Sequence, residues 1–219
     1  LVTGAGGSIG KEISRQLVNQ NAKNIYLLEK DEFNLFQIHK ELVSINNNIK
    51  LHRVLINLQE YEIFLNYFKN KNIDFVYHAA AYKHVGIVEE NYVSGFSNNI
   101  IITENVLKFI NLRKVKNFVL ISSDKSVRPT NLMGASKRIC ELLTYKYRFY
   151  NKSNSNFSIV RFGNVINSTG SVIPIFREQI ENNKPLTIYG NGSQKRGYIN
   201  LIDSLNCIKL ALKNGIHFL

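Results

Sequence analysis

Directly after a short apolar run, "LVT" at residues 1–3, stands "GAGGSIG", with Gly4, Gly7 and Gly10 in a GxxGxxG spacing and a helix-like "SIGKEISRQLVNQ" running on from Ser8. Glycines allow a tight turn and let backbone N–H groups approach a pyrophosphate at a helix N-terminus, where the helix dipole favours negative charge. Glu29 ends the next apolar run, 19 residues after Gly10, where an acid can accept hydrogen bonds from the adenosine ribose hydroxyls. Gly4, Gly7, Ser8, Ile9, Gly10 and Glu29 therefore form a candidate dinucleotide loop. An acid at Glu29 repels a 2′-phosphate, which favours NAD over NADP. A phosphate-binding P-loop does not fit, because GxxxxGK[ST] needs a glycine at Ala5 and a hydroxyl at Glu12. Lys11 is then expected to be an exposed helix residue.

A second stretch, "SSDKSVRPTNLMGASK" at 122–137, sets Asp124 beside Lys125 and ends in Lys137, four places after Met133. On pattern alone, Asp124 and Lys125 read as charged neighbours on a solvated loop, and Lys137 as a helix-surface lysine beside Arg138.

The elements that must position these groups follow one rhythm. Apolar β-rich runs, "LVT" at 1, "NIYLL" at 24, "KLHRVL" at 50, "DFVYHAA" at 74, "NFVLIS" at 117 and "FSIVRF" at 157, alternate with segments of helix length and period. Such alternation predicts an α/β fold, a Rossmann-type doubly wound parallel sheet with helices on both faces. Ligands of such sheets sit beyond the carboxyl ends of the strands, so function is sought just after each run. After residue 163 the rhythm changes to Gly, Ser and Asn-rich turns around a helix-like "IPIFREQIENN" and a short strand, "LTIY". We divide the chain into a dinucleotide-binding domain over 1–163 and an interleaved, truncated substrate-binding portion over 164–219, without an independent second domain.

Composition bounds the rest. The 219 residues, 44% hydrophobic and 20% charged, suffice for one substantial core. The chain starts at Leu1, its one methionine is Met133, and it stops on an apolar "IHFL", which reads as a strand cut short; a piece of a longer protein is expected. A net charge of +12 admits nucleic acid, anionic membrane or a polyanionic small substrate. The basic residues are scattered with no run of five, which argues against a nucleic-acid arm and leaves a phosphate-rich ligand. Cys140 and Cys207 form no CxxC pair, so no disulfide framework or metal site is expected and a cytoplasmic setting fits. No stretch approaches 18 consecutive apolar residues; a membrane anchor, if present, belongs to a segment ahead of Leu1.

"VTGAGGSIG", "LLEKDEFNL", "HAAAYKHV", "VEEN", "NN", "ISSDKSVRPTNLMGASKR", "RFGNV" and "GSVIP" follow one another along most of the chain. Together they resemble the extended short-chain dehydrogenase/reductases, and within them the UDP-N-acetylglucosamine 4,6-dehydratases of bacterial polysaccharide biosynthesis. The wider superfamily carries its catalytic tyrosine in YxxxK; here Met133 and Lys137 occupy that frame, as in a methionine-bearing subgroup of this family. The one literal YxxxK, Tyr67 to Lys71, precedes the fourth strand and is read as chance.

The resemblance implies an NAD-dependent lyase that oxidises C4 of a UDP-sugar, eliminates water across C5 and C6, and returns the hydride to C6, in the service of surface glycan. It assigns Asp124 as the acid and Lys125 as the base, with Ser123 taking over part of the missing tyrosine's task and Lys137 binding the nicotinamide ribose. Asp124 would need burial beside Met133 to stay protonated, and Lys125 a desolvated, cationic setting to lose its proton. Asn57, Ala79, Ala80, Ala81, Tyr82, Lys83, Asn99, Ile121 and Ser122 are implied around the cofactor. Lys83, Asn164, Val172 and Arg196 are implied around the substrate, with Arg196 clamping a diphosphate. His84 reads as a packed histidine. Gln194 and Asp203 make the segment around Arg196 more like that of the epimerases. Homo-oligomers are usual in such families. A UDP-sugar 4-epimerase is the nearest rival function, and a non-catalytic NAD-binding module the next; no nucleic-acid partner is expected.

Overall fold

Along residues 117–123 the side chains alternate, Phe118 and Leu120 entering one hydrophobic layer, Val119 and Ile121 the other. A strand apolar on both faces must be covered on both, and helices do so here. The computed structural model describes residues 1–150, 154–166, 168, 170–188, 190–193 and 195–214. Among these, the order is β1 Val2–Thr3, α1 Ser8–Asn19, β2 Asn24–Glu29, α2 Glu32–Ile45, β3 Lys50–Leu55, α3 Tyr61–Tyr67, β4 Phe75–His78, α4 Val85–Glu90, α5 Tyr92–Arg113 and β5 Asn117–Ser123. A 3-10 turn, Asp124–Ser126, then leads to α6 Leu132–Tyr150, β6 Asn156–Phe162, β7 Asn164–Val165, α7 Val172–Glu181, β8 Tyr198–Ile199 and α8 Leu201–Asn214.

Six parallel strands lie in the order β3-β2-β1-β4-β5-β6, so each of the six apolar runs is a strand of one sheet. This is the doubly wound Rossmann-type fold the alternation predicts. One face packs Phe118 and Phe157 against Phe64, Phe68 and Phe109; the other packs Leu27 and Val160 against Ile13, Val18 and Ile38. The strand order reverses at β1, between β2 and β4, which opens a crevice beyond their carboxyl ends.

After β6 the chain leaves the sheet and returns. β7 and β8 form a small parallel pair, while α8 lays Leu205, Ile208 and Ala211 on the main sheet's core, and Ser158 Oγ donates to the Ala211 carbonyl at 3.0 Å. Of the strand expected at "LTIY", the described residues 186–188 form none. Leu186 and Ile188 are exposed, and no strand among the described residues pairs with them. Tyr189, Gln194 and the terminal "IHFL" lie outside the described residues.

Candidate active site

The glycine loop is moulded by main-chain contact. Gly4 has φ 63°, and a methyl placed on it would lie 2.7 Å from the Ala80 main chain. Only glycine fits both the conformation and the approach. α1 begins at once, with Gly7 as its N-cap and no side chain capping its first turn. The Glu29 carboxylate accepts from the Gly6 N–H at 3.1 Å and the Lys30 N–H at 2.9 Å, which fixes the acid at the rim of the loop.

Two adjoining depressions follow the crevice. The smaller, about 410 Å³, is lined by Gly4, Glu29, Asn57 and Ala80; the larger, about 860 Å³, by Ile9, Gly10, Ile121, Ser122, Ser123, Lys125, Lys137 and Asn164. Gly7, Ser8, Ala79, Ala81, Tyr82, Lys83 and His84 belong to both. The two together make one elongated cleft that runs from Glu29 to Lys137, a shape that suits an elongated dinucleotide. Lys11, expected to be exposed, is half-buried and lines the smaller depression, because α1 turns that face toward β2 and α2. Lys30 lies with its Nζ 4.1 Å from the Tyr82 ring centroid and contacts the Tyr82 hydroxyl. The Asn57 Oδ1 accepts the Gln59 N–H at 3.1 Å, so this side chain is engaged in its own turn.

Asn99 stands behind the wall. Its Oδ1 accepts the Tyr82 N–H at 2.8 Å, and its Nδ2 donates to the Tyr82 carbonyl and to Ser136 Oγ, both at 3.0 Å. It holds the Tyr82 segment that lines both depressions. Lys137, which pattern alone would leave on a helix surface, is buried and donates to the Ile121 carbonyl at 2.9 Å. Burial lowers its pKa, against the opposing pull of Cys140 and Glu141. Met133 is buried beside it, on the larger depression's wall.

The Ser-Asp-Lys triplet forms the turn at the end of β5. The Ser123 hydroxyl caps the turn, accepting the Lys125 N–H at 3.2 Å, and lies 3.0 Å from Asp124 Oδ1. Lys125 Nζ sits 3.0 Å from Asp124 Oδ1 and 3.2 Å from Asn164 Oδ1. The burial that a protonated Asp124 would need is absent: its side chain is 53% exposed and paired with Lys125. Lys83 has its pKa lowered by burial, and His84 by burial and by Lys83. A methyl on Gly170, at φ 70°, would lie 2.6 Å from the His84 ring, so this histidine packs against the loop before α7. Val172 opens α7 next to Ser171, which lines the cleft. Arg196 is exposed, and its guanidinium contacts the Lys195 carbonyl outside the cleft lining.

Sequence reasoning missed Glu141. It is buried, one helical turn after Lys137, and gathers Ser122, Ser126, Arg138 and Arg161. The i to i+4 spacing from Lys137 was the available signal. Among the described residues no cluster of three His, Cys, Asp or Glu could hold a metal, and no helix is long and apolar enough to cross a membrane. The Tyr67–Lys71 pair lies away from this cleft, with Lys71 lining a groove beside Asp74 and Lys116, just ahead of β4 and β5.

The sequence pattern of the family described as polysaccharide biosynthesis protein matches residues 1–216. The chain belongs to this family. It is 43% identical over 189 residues to the capsular polysaccharide biosynthesis protein CapD of Staphylococcus aureus, covering 86% of this chain and 31% of CapD. It is 34% identical over 220 residues to a UDP-glucose 4-epimerase of Rickettsia bellii, covering 98% of this chain and 62% of that protein. The X-ray structure of Pen from Bacillus thuringiensis superposes with a TM-score of 0.90 at 33% identity, over 98% of this chain and 65% of Pen. The chain thus spans about a third of CapD and under two thirds of the epimerase.

Proposed function

We propose that the chain is the NAD-binding and catalytic part of a UDP-sugar 4,6-dehydratase, with UDP-N-acetylglucosamine as the substrate. The observation that carries this reading is the Asp124–Lys125 contact at 3.0 Å on the wall of a cleft that begins at a dinucleotide loop. An epimerase needs only oxidation and reduction at C4. A dehydratase also needs a base for the C5 proton and an acid for the C6 hydroxyl, and the adjacent pair supplies both.

NAD, held by Gly4, Gly7, Gly10, Glu29, Tyr82 and Lys137, would accept the C4 hydride and give it back at C6. Lys137 contributes positive potential at the ribose. With no phenol at position 133, Ser123 is the hydroxyl nearest Asp124 and takes the C4 proton toward that carboxylate. The C4 proton passed on through Ser123 makes Asp124 the neutral acid, and Lys125, its own proton released to solvent as the sugar binds, would stand beside it as the neutral base. A sugar seated over the turn excludes water and favours that neutral pair. Lys125 then removes the C5 proton, Asp124 protonates the departing C6 hydroxyl as water, and Lys125 gives a proton, exchangeable with solvent, back to C5 as the hydride reaches C6.

The test is mass spectrometry and proton NMR of UDP-N-acetylglucosamine incubated with the full-length protein and NAD in deuterium oxide. Loss of one water with deuterium at C5, abolished in Lys125→Ala and in Asp124→Asn, is the expected result. A sugar of unchanged mass inverted at C4 makes the enzyme an epimerase instead. That second reading rests on the resemblance to the Rickettsia bellii epimerase and on the residues around Arg196.

A further inference from the structure

Glu141 lies under the catalytic turn with no exposed surface, a costly place for a carboxylate unless it is fully paired. Its Oε1 is 2.6 Å from Ser122 Oγ, 2.7 Å from Ser126 Oγ and 2.8 Å from Arg161 Nε; its Oε2 is 2.6 Å from Arg161 Nη2 and 2.9 Å from Arg138 Nη1. Arg161 on β6 meets it as a two-pronged fork, and Arg138 comes from the turn of α6 before it. Two guanidinium groups compensate the charge; the two serines have another role. Ser122 immediately precedes the Ser123-Asp124-Lys125 triplet and Ser126 immediately follows it, so one carboxylate oxygen holds both ends of the turn.

The same helix grips the turn twice more. A methyl on Gly134 would lie 2.3 Å from the Lys125 carbonyl oxygen, so α6 and the turn touch main chain to main chain. Lys137 donates to Ile121, the residue before Ser122. The Ser126 hydroxyl is also 2.6 Å from the Ser123 carbonyl, so its single proton serves that oxygen or Glu141, one at a time.

We propose that Glu141 is a positioning residue: it clamps Ser122 and Ser126 and so sets where the Asp124 and Lys125 side chains stand in the cleft. The catalytic part of this statement rests on the function proposed above; the clamp itself does not. Burial alone would raise the Glu141 pKa, but bonds from Arg161, Ser122, Ser126 and Arg138 outweigh it and bring it down to about 2. The clamp therefore stays charged over the working range. The charged and titratable groups around it are Arg138, Lys137, Cys140 and Tyr145 of α6 and Arg161 of β6, with His78 of β4 facing Lys137.

The test uses the full-length protein with Glu141→Gln and, as a milder variant, Ser126→Ala, which leaves both arginine pairs in place. Two readouts are taken. Amide hydrogen exchange in 122–127 is expected to rise about tenfold or more in both variants, with the 4–10 loop unchanged. The kcat for sugar is expected to fall roughly 10²-fold in Glu141→Gln with KM little altered, the size of effect that small misplacement of reacting groups produces. The pH limb set by Lys137 should also move to lower pH in Glu141→Gln, since Glu141 opposes the lowering of that pKa. If Glu141→Gln does not fold, Ser126→Ala decides through exchange and kcat. Wild-type exchange over 122–127 in a folded variant overturns the clamp. Raised exchange with unchanged kcat and pH profile overturns the positioning role. A wild-type protein that turns over no sugar nucleotide refutes the proposed function, and the exchange data still judge the clamp.

Discussion

The ammonium of Lys125, on the turn after β5, lies 3.2 Å from the Oδ1 of Asn164, at the start of β7. One hydrogen bond thus joins the Asp124–Ser126 turn after β5 to the small β7–β8 pair. A ligand reaching the cleft floor meets a lysine with Asp124 on one side and Asn164 on the other.

That geometry separates a base from a mere cation. Lys125→Arg keeps the charge and can keep both contacts, yet a guanidinium does not give up its proton. Its kcat is expected to be as low as that of Lys125→Ala, about 10²-fold or more below wild type, the usual worth of general acid–base catalysis. Steady-state rates of both variants check this; an active arginine variant would assign Lys125 an electrostatic role alone.

Met133 occupies the tyrosine's place as an inert wall. Met133→Leu conserves volume and is expected to cost under about 1.5 kcal/mol of stability, with kcat within a few-fold of wild type. Thermal melts and turnover measure the two effects. A collapse of kcat in a stably folded variant would mean that the thioether takes part in the chemistry.

Glu29 holds the glycine loop through the Gly6 N–H as well as facing the smaller depression. Glu29→Ala is expected to weaken NAD binding about 10- to 100-fold, the worth of one or two hydrogen bonds to a charged group. Titration calorimetry reads it, and the same variant should narrow the preference for NAD over NADP.

His78 is buried between Thr3 Oγ1 at 2.7 Å and Thr103 Oγ1 at 3.1 Å, and burial, then Lys137, push its pKa from 6.5 to about 3. The folded protein refuses a proton that the unfolded chain accepts below pH 6.5. Stability is therefore lost as pH falls from 6.5 toward 3, by up to about 1.4 kcal/mol per pH unit from this one group. Melting temperatures of wild type and His78→Gln between pH 7.5 and 5 should converge on the acid side.

The sheet was legible in the sequence because burial on both faces writes a strand as an apolar run, and six such runs spaced by helices leave one architecture. The glycine loop was legible for a similar reason: Gly4 and Glu29 are required by local geometry. What depended on tertiary packing was not. A protonated Asp124 would need burial beside Met133, but what α6 meets in the turn is the Lys125 carbonyl, against Gly134, while the Asp124 side chain stays exposed. Glu141 sits in an amphipathic helix where a lone glutamate ordinarily faces water, and its main partner, Arg161, comes from another strand. "LTIY" has strand composition, but a strand needs a neighbour to bond with.

Lys30 follows Glu29 at the end of β2, Tyr82 lies beyond β4, and their side chains meet across the mouth of the smaller depression. If NAD binds in that depression as proposed, this contact would act as a buckle beside its nucleoside. The reaction cycle proposed here hands back every hydride it borrows, so turnover never requires that buckle to open. On the proposed cycle, cofactor residence and catalytic rate are independent quantities, and a substitution at Lys30 is expected to shorten the first while leaving the second untouched.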